Sequence, residues 1–225
     1  MNSSSFNNKI EILVNLFTFD KGELKVLLFK KNDDPYRGYW MLPSSLLMNN
    51  ETVEELTDKI VYEMAGFKDV KTYNCNIFSD IDRINETRII GYSVIGIVDT
   101  ITANFKQEPR NYEMEWFNVN SIPKTIYDNT LIIEDATNSL KEKLLNTKVL
   151  KVLFPSDFTI PELKKVYEQI LNKDLDRRNF RKKILNLDII EDTNDKNTGM
   201  NGRPAKLYRF KEEVEDKNLF SSINF

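Results

Sequence analysis

Between Lys173 and Lys183 the chain holds six basic and two acidic residues, a local net charge of +4. Arg177, Arg178, Asn179, Arg181 and Lys182 lie in that run. Arginine and asparagine supply the two-pronged donor sets that read guanine and adenine edges, and the same cations bind phosphates. Arg203 and Lys206 flank Pro204 further on and extend the basic character. The bland alternative is a solvated helix face, the commoner fate of a charge run. A second constellation is Lys59 with Glu63, spaced i,i+4, preceded by Glu51 and Glu54. Its carboxylates either hold a divalent cation or pair with the lysine. A third is Arg83 with Arg88. Their planar forks suit an anionic or polyhydroxylated ligand, or else ordinary salt bridges to Asp80, Asp82 or Glu86.

Composition removes several other chemistries. The 225 residues include no histidine and one cysteine, Cys75. Ser-His and Cys-His catalysis, histidine metal ligands and structural zinc sites are therefore excluded, as is an intramolecular disulfide. One cysteine, a start without the apolar core of a secretory signal, and no apolar run of about 20 residues make cytoplasmic the default expectation. The net charge of -3 is unevenly spread: residues 1–150 carry 17 basic and 22 acidic residues, residues 151–225 carry 15 and 13. The carboxyl-terminal part is basic on an otherwise acidic chain, as a phosphate-contacting surface requires.

Two kinds of scaffold must position these residues. Ile10–Phe19 and Leu24–Lys30 read as strands joined by the turn residues Asp20–Glu23. Thr52 with Glu55 is a capping-box pattern that opens a helix through Val53, Leu56, Ile60 and Met64, and Gly66 sits where a carboxyl cap belongs. Ile89–Val98 and Glu113–Val119 are further strands, and Thr130–Leu145 is an amphipathic helix through Leu131, Ile132, Ala136 and Leu140. Strands and helices intermixed over this length give an α/β domain. Lys151–Phe158 reads as a connection. Two helices follow, Ile160–Leu171 and Asp176–Leu187, the latter with Asp176 as amino cap and Phe180, Ile184 and Leu187 facing a small core. Ile189–Thr193, a polar stretch Asn194–Gly202 and the strand Ala205–Phe210 complete a hairpin, the outline of a winged helix.

Trp40-Met41-Leu42-Pro43-Ser44-Ser45, Glu51 and Lys59–Phe67 resemble the Nudix box in spacing, and Glu115-Trp116-Phe117 resembles the late Trp-Phe strand of that family. The resemblance covers roughly Lys9 to Leu145. It implies an α/β/α Nudix sandwich and, equally, the loss of its chemistry. Where active members present three metal-binding glutamates, this chain has Ile60, Glu63 and Met64. Ser44 and Ser45 replace the loop glycines, and Lys59 replaces an arginine. No metal, no cofactor and no catalytic residue are expected. A catalytically inactive cleft suits ligand sensing, with Arg83, Arg88, Lys59 and Glu63 as the candidate ligand-binding residues; Asp82–Ile90 is similar to a stretch of the regulator branch.

The segments Phe158–Leu163, Val166–Leu171, Leu175–Lys183 and Gly202–Phe210 together resemble the carboxyl-terminal winged-helix domain of the Nudix-related regulators of NrtR and AraR type. The resemblance implies residues 1–147 as an effector-binding domain and 148–225 as a winged helix-turn-helix DNA-binding domain. It implies a ligand-responsive repressor that acts as a homodimer on a double-stranded operator. Arg177, Arg178, Asn179, Arg181, Lys182, Arg203 and Lys206 would be its DNA contacts. The effector is an ADP-ribose-like or NAD-related nucleotide in one branch and a pentose in the other. Aliphatic residues at 60 and 64 resemble the pentose pattern slightly more, and the absent glycines weaken a pyrophosphate cradle. Two other classes stand beside this one: a Nudix hydrolase of ADP-ribose-like nucleoside diphosphates with a site built from Glu63, Glu51 or Glu54, and a protein-interaction module.

Overall fold

Ile12, Leu13, Val14, Leu16 and Phe17 form a nearly unbroken apolar run, and all are fully buried. That is the signature of a strand covered on both faces. In the computed structural model, which describes residues 9–20, 22–84, 87–99, 113–144, 147–154, 157–197 and 204–212, this run is the middle of β1 (Lys9–Asp20). It is also the middle of the main sheet. β2 (Glu23–Lys30) flanks it on one side and β6 (Ile89–Ile97), running parallel, on the other. β3 (Trp40–Met41) lies outside β2, and β5 (Lys71–Phe78) outside β6. β4 (Ser44–Leu46) pairs with β1 and β7 (Met114–Asn118) with β2, making seven strands. Asn15, buried in β1, donates from Nδ2 to Ser93 Oγ at 3.0 Å, so its amide nitrogen is answered across the parallel pair.

Between β4 and β5 stands α1 (Val53–Lys59), which passes directly into a π-helical turn, Ile60–Ala65. The expected capping box is present in full: Thr52 and Glu55 satisfy each other's backbone amides at 3.2 and 2.9 Å. Gly66 closes the turn at φ 82°, a conformation glycine adopts without strain. α2 (Asn129–Leu144) buries Ile132, Ile133 and Ala136. Leu131, expected on the buried stripe, is 61% exposed. Ile133 takes its place, while Ile132, Ala136 and Leu140 of the expected stripe are buried. β5 was not anticipated: Lys71–Phe78 mixes polar and apolar residues with a bulge between Asn74 and Ile77, which blurs the two-residue alternation.

The chain divides into two compact units. The first holds the sheet and α1; the second begins at Leu140 and takes in the hairpin tip Thr18–Leu24. The second unit contains α3 (Thr147–Leu153), β8 (Phe158–Thr159), α4 (Ile160–Leu171), α5 (Arg177–Asn186), β9 (Ile190–Asn197) and β10 (Ala205–Phe210). The connection expected from Lys151 is helical as far as Leu153, and β9 extends four residues beyond the expected end at Thr193. The three strands form one small sheet in the order β8-β10-β9. Its core is aromatic: Phe158 lies 4.9 Å from both Phe154 and Phe210, and Tyr167 meets Phe180 edge-on at 5.3 Å.

Candidate nucleic-acid interface and effector cleft

The helix-turn-helix is built from local signals. Thr159 and Glu162 form a second capping box at the start of α4, with Pro161 in its first turn. Asn172 ends α4 at φ 49°. Glu168 accepts the Leu175 amide at 2.8 Å and pairs with Lys164, which pins the turn to the helix it leaves. Asp176 then accepts the Asn179 amide at 2.8 Å and opens α5, as expected. Phe180 and Ile184 are fully buried and Leu187 is half-buried. That one inward stripe fixes the rotation of α5 about its axis. It turns Arg177, Arg178, Asn179, Arg181 and Lys182 outward, where all five are exposed.

These outward residues are not equivalent. Among the described residues, Arg177, Arg178 and Lys182 have no ion-pair partner. Arg181 instead donates from Nη2 to the Tyr208 hydroxyl at 3.0 Å and lies over that ring, 5.9 Å from its centroid. Lys206 bonds Asp192 at 2.5 Å; that bond raises the lysine pKa and lowers the aspartate's. Arg203 falls outside the described residues.

In the first unit a cleft of about 590 Å³ is lined by Ser45, Leu46, Met48, Glu51, Leu56, Lys59, Ile60, Glu63 and Met64. Its size suits a small-molecule ligand. Glu63 lies exposed on the cleft wall, and Lys59, four residues before it, makes its close ion pair with a different carboxylate. Lys59 Nζ bonds Glu51 Oε2 at 2.7 Å, while Glu51 Oε1 accepts the Met48 amide at 3.0 Å. The lysine, and then that amide, hold the Glu51 carboxyl below its ordinary range. Ile60 is buried and Met64 half-buried, so this part of the wall is hydrocarbon.

Arg83 departs from expectation. It is 6% exposed, and among the described residues its guanidinium pairs with neither Asp80 nor Asp82; Glu86 lies outside the described residues. Nε and Nη2 grip Asp128 at 2.7 and 3.2 Å, and Nη1 reaches Glu11 at 3.1 Å. Glu11 also accepts from Ser44 Oγ at 2.9 Å. The arginine ties β1, the β4 strand beside the cleft and the start of α2 into one network, and its fork is not presented to an incoming ligand. Arg88 donates to the carbonyls of Ser79 and Asp80 at 2.8 and 2.9 Å, bracing a loop. Sequence reasoning missed Glu11, Asp128 and Tyr208, each of which is distant in the chain from the arginine it serves.

Residues 150–210 match the family model of the NrtR DNA-binding winged helix domain. Those residues are a DNA-binding winged helix domain of the NrtR type. A relative in Acinetobacter baylyi, an ADPR responsive transcriptional repressor, is 27% identical over 212 residues, spanning 91% of this chain and 82% of the relative. The crystal structure of Shewanella oneidensis NrtR complexed with a 27mer DNA superposes with a TM-score of 0.71 at 24% identity, covering 90% of this chain and 93% of that one. An ADP-ribose pyrophosphatase of Methanocaldococcus jannaschii is 31% identical over 111 residues, covering 49% of this chain and 64% of the relative. No described helix is long and apolar enough to cross a membrane.

Proposed function

We propose that this protein is an ADP-ribose-responsive repressor whose residues 1–147 sense the effector and whose residues 148–225 bind an operator as a homodimer. The single observation that carries the DNA half is the fully buried Phe180–Ile184 stripe, which turns Arg177, Arg178, Asn179 and Lys182 to solvent on the second helix of a winged helix. The near full-length relative named for ADPR response favours the nucleotide over the pentose as effector. Homodimerisation follows from the small surface one winged helix presents and from the two-fold symmetry of common operators. A duplex selected by the full chain from a randomised pool, titrated by fluorescence anisotropy with and without ADP-ribose, tests the reading. ADP-ribose should change the affinity at least tenfold while ribose and arabinose leave it unchanged. Loss of response to ADP-ribose together with a response to a pentose would reverse the effector assignment.

The pyrophosphatase relative supports a second reading, hydrolysis of ADP-ribose. Against it stand Ile60 and Met64 at positions where a metal site needs carboxylates, and a Glu51 carboxyl already committed to Lys59. Losing even one group that stabilises transition-state charge costs about 10²–10³ in rate. With magnesium present, ADP-ribose should remain intact over hours, with no AMP or ribose 5-phosphate formed by chromatography, and Glu63→Gln should leave that outcome unchanged.

A further inference from the structure

Asp192 lies opposite Tyr208 in the β9–β10 register. The register jumps just there, from Lys206↔Lys196 to Tyr208↔Asp192, so β9 bulges through Thr193–Asp195. Asn194 takes a left-handed φ of 65° at the bulge. The bend is held by side chains: Asp192 Oδ1 accepts the Asn194 amide at 3.0 Å, and Thr193 Oγ1 donates to the Leu207 carbonyl at 3.1 Å. Asp192 Oδ2 holds Lys206 at 2.5 Å. Arg181 reaches this bend from α5 through the Tyr208 hydroxyl, and its charge is felt by both Asp192 and Lys206. Tyr208 is 3% exposed, so the phenol that receives the arginine is itself fixed by packing.

We propose that Arg181 is a positioning residue rather than a DNA contact: through Tyr208 it fastens the recognition helix to the bend of the hairpin, so that helix and wing meet the duplex at one fixed angle. This rests on the DNA-binding reading above. A guanidinium with one donor on a buried phenol and its carbon 5.9 Å from that ring's centroid has its orientation set from inside the protein. Arg177, Arg178 and Lys182 have no such tether. The brace joins elements that are not consecutive in the chain, whereas the pairs around it lie within the hairpin.

Phosphate contacts and braces differ in salt dependence. Each phosphate neutralised contributes about 0.9 to the slope of log affinity against log salt. Tyr208→Phe keeps the ring and the packing but removes the acceptor; Arg181→Gln removes the charge. On the selected duplex each single variant should bind about tenfold more weakly with the wild-type salt slope, and the double variant should be no weaker than either single one. Affinity for a random duplex of equal length should change less than twofold. A slope lowered by about 0.9 in Arg181→Gln, with Tyr208→Phe equal to wild type, would make Arg181 a phosphate contact and overturn the inference. Wild-type affinity in both variants would overturn it as well. Failure of the wild-type chain to bind any duplex at low salt would instead remove the DNA-binding reading, and the inference with it.

Discussion

Arg178 shows how much one residue's meaning depends on its neighbour at i+2. Phe180 is fully buried, and the helical turn then leaves Arg178 facing solvent, with no ion-pair partner among the described residues. A charge so placed meets a polyanion without an internal ion pair being broken first, at the cost of its side-chain freedom alone and some hydration. Arg178→Ala should weaken binding to the selected duplex by about tenfold, on the order of 1.4 kcal/mol. Anisotropy titrations across a salt series read it, and unchanged affinity would move the DNA contact off this helix. Lys206 makes the contrasting case, since its ammonium already holds Asp192. An exposed pair of that kind contributes little to stability, so a phosphate could displace the carboxylate at small cost.

At the scale of elements, a buried arginine ties the first unit together. Gly91 in β6 makes room for Arg83: a Cβ there would stand 2.8 Å from the guanidinium carbon. Gly91→Ala therefore pushes the fork away from Asp128 and Glu11. The expected loss is about 3 kcal/mol, the scale of breaking a buried ion pair by displacing one partner. Urea unfolding measures it; a loss below about 1 kcal/mol would mean that the side chain slides to solvent freely. Because Ser44, beside the cleft, shares Glu11 with Arg83, the same substitution should also weaken the proposed response to ADP-ribose.

For the whole molecule the absence of histidine has a direct consequence. Glu51 and Asp192 are shifted down, so the stability they contribute is present above the unfolded carboxylate pKa and is lost only as pH falls through their lower folded values. Lys59 and Lys206 are shifted up, so theirs is present below the unfolded lysine pKa and is lost only as pH rises through their higher folded values. Both windows lie outside neutrality. Operator affinity should accordingly be flat between about pH 6 and about pH 8 at constant ionic strength. A change of more than threefold across that range would point to a titrating group at the interface that these residues do not supply.

Much of this was legible in the chain itself. Hydrophobic spacing, capping boxes at Thr52 and Thr159, and the glycine at 66 are local, and local chemistry sets helices, turns and the outward rotation of α5 without reference to anything distant. The basic run at Lys173–Lys183 and the Nudix-like spacing could be read for the same reason. The pairings could not. Lys59 with Glu51, Arg83 with Asp128 and Glu11, and Arg181 with Tyr208 each join residues that no periodicity relates. β5 was hidden because a bulge and a polar content near one half erased its alternation. Spacing says which side chains share a face; only the packed tertiary structure decides which charges meet, because a fork finds its partner by distance in space rather than along the chain.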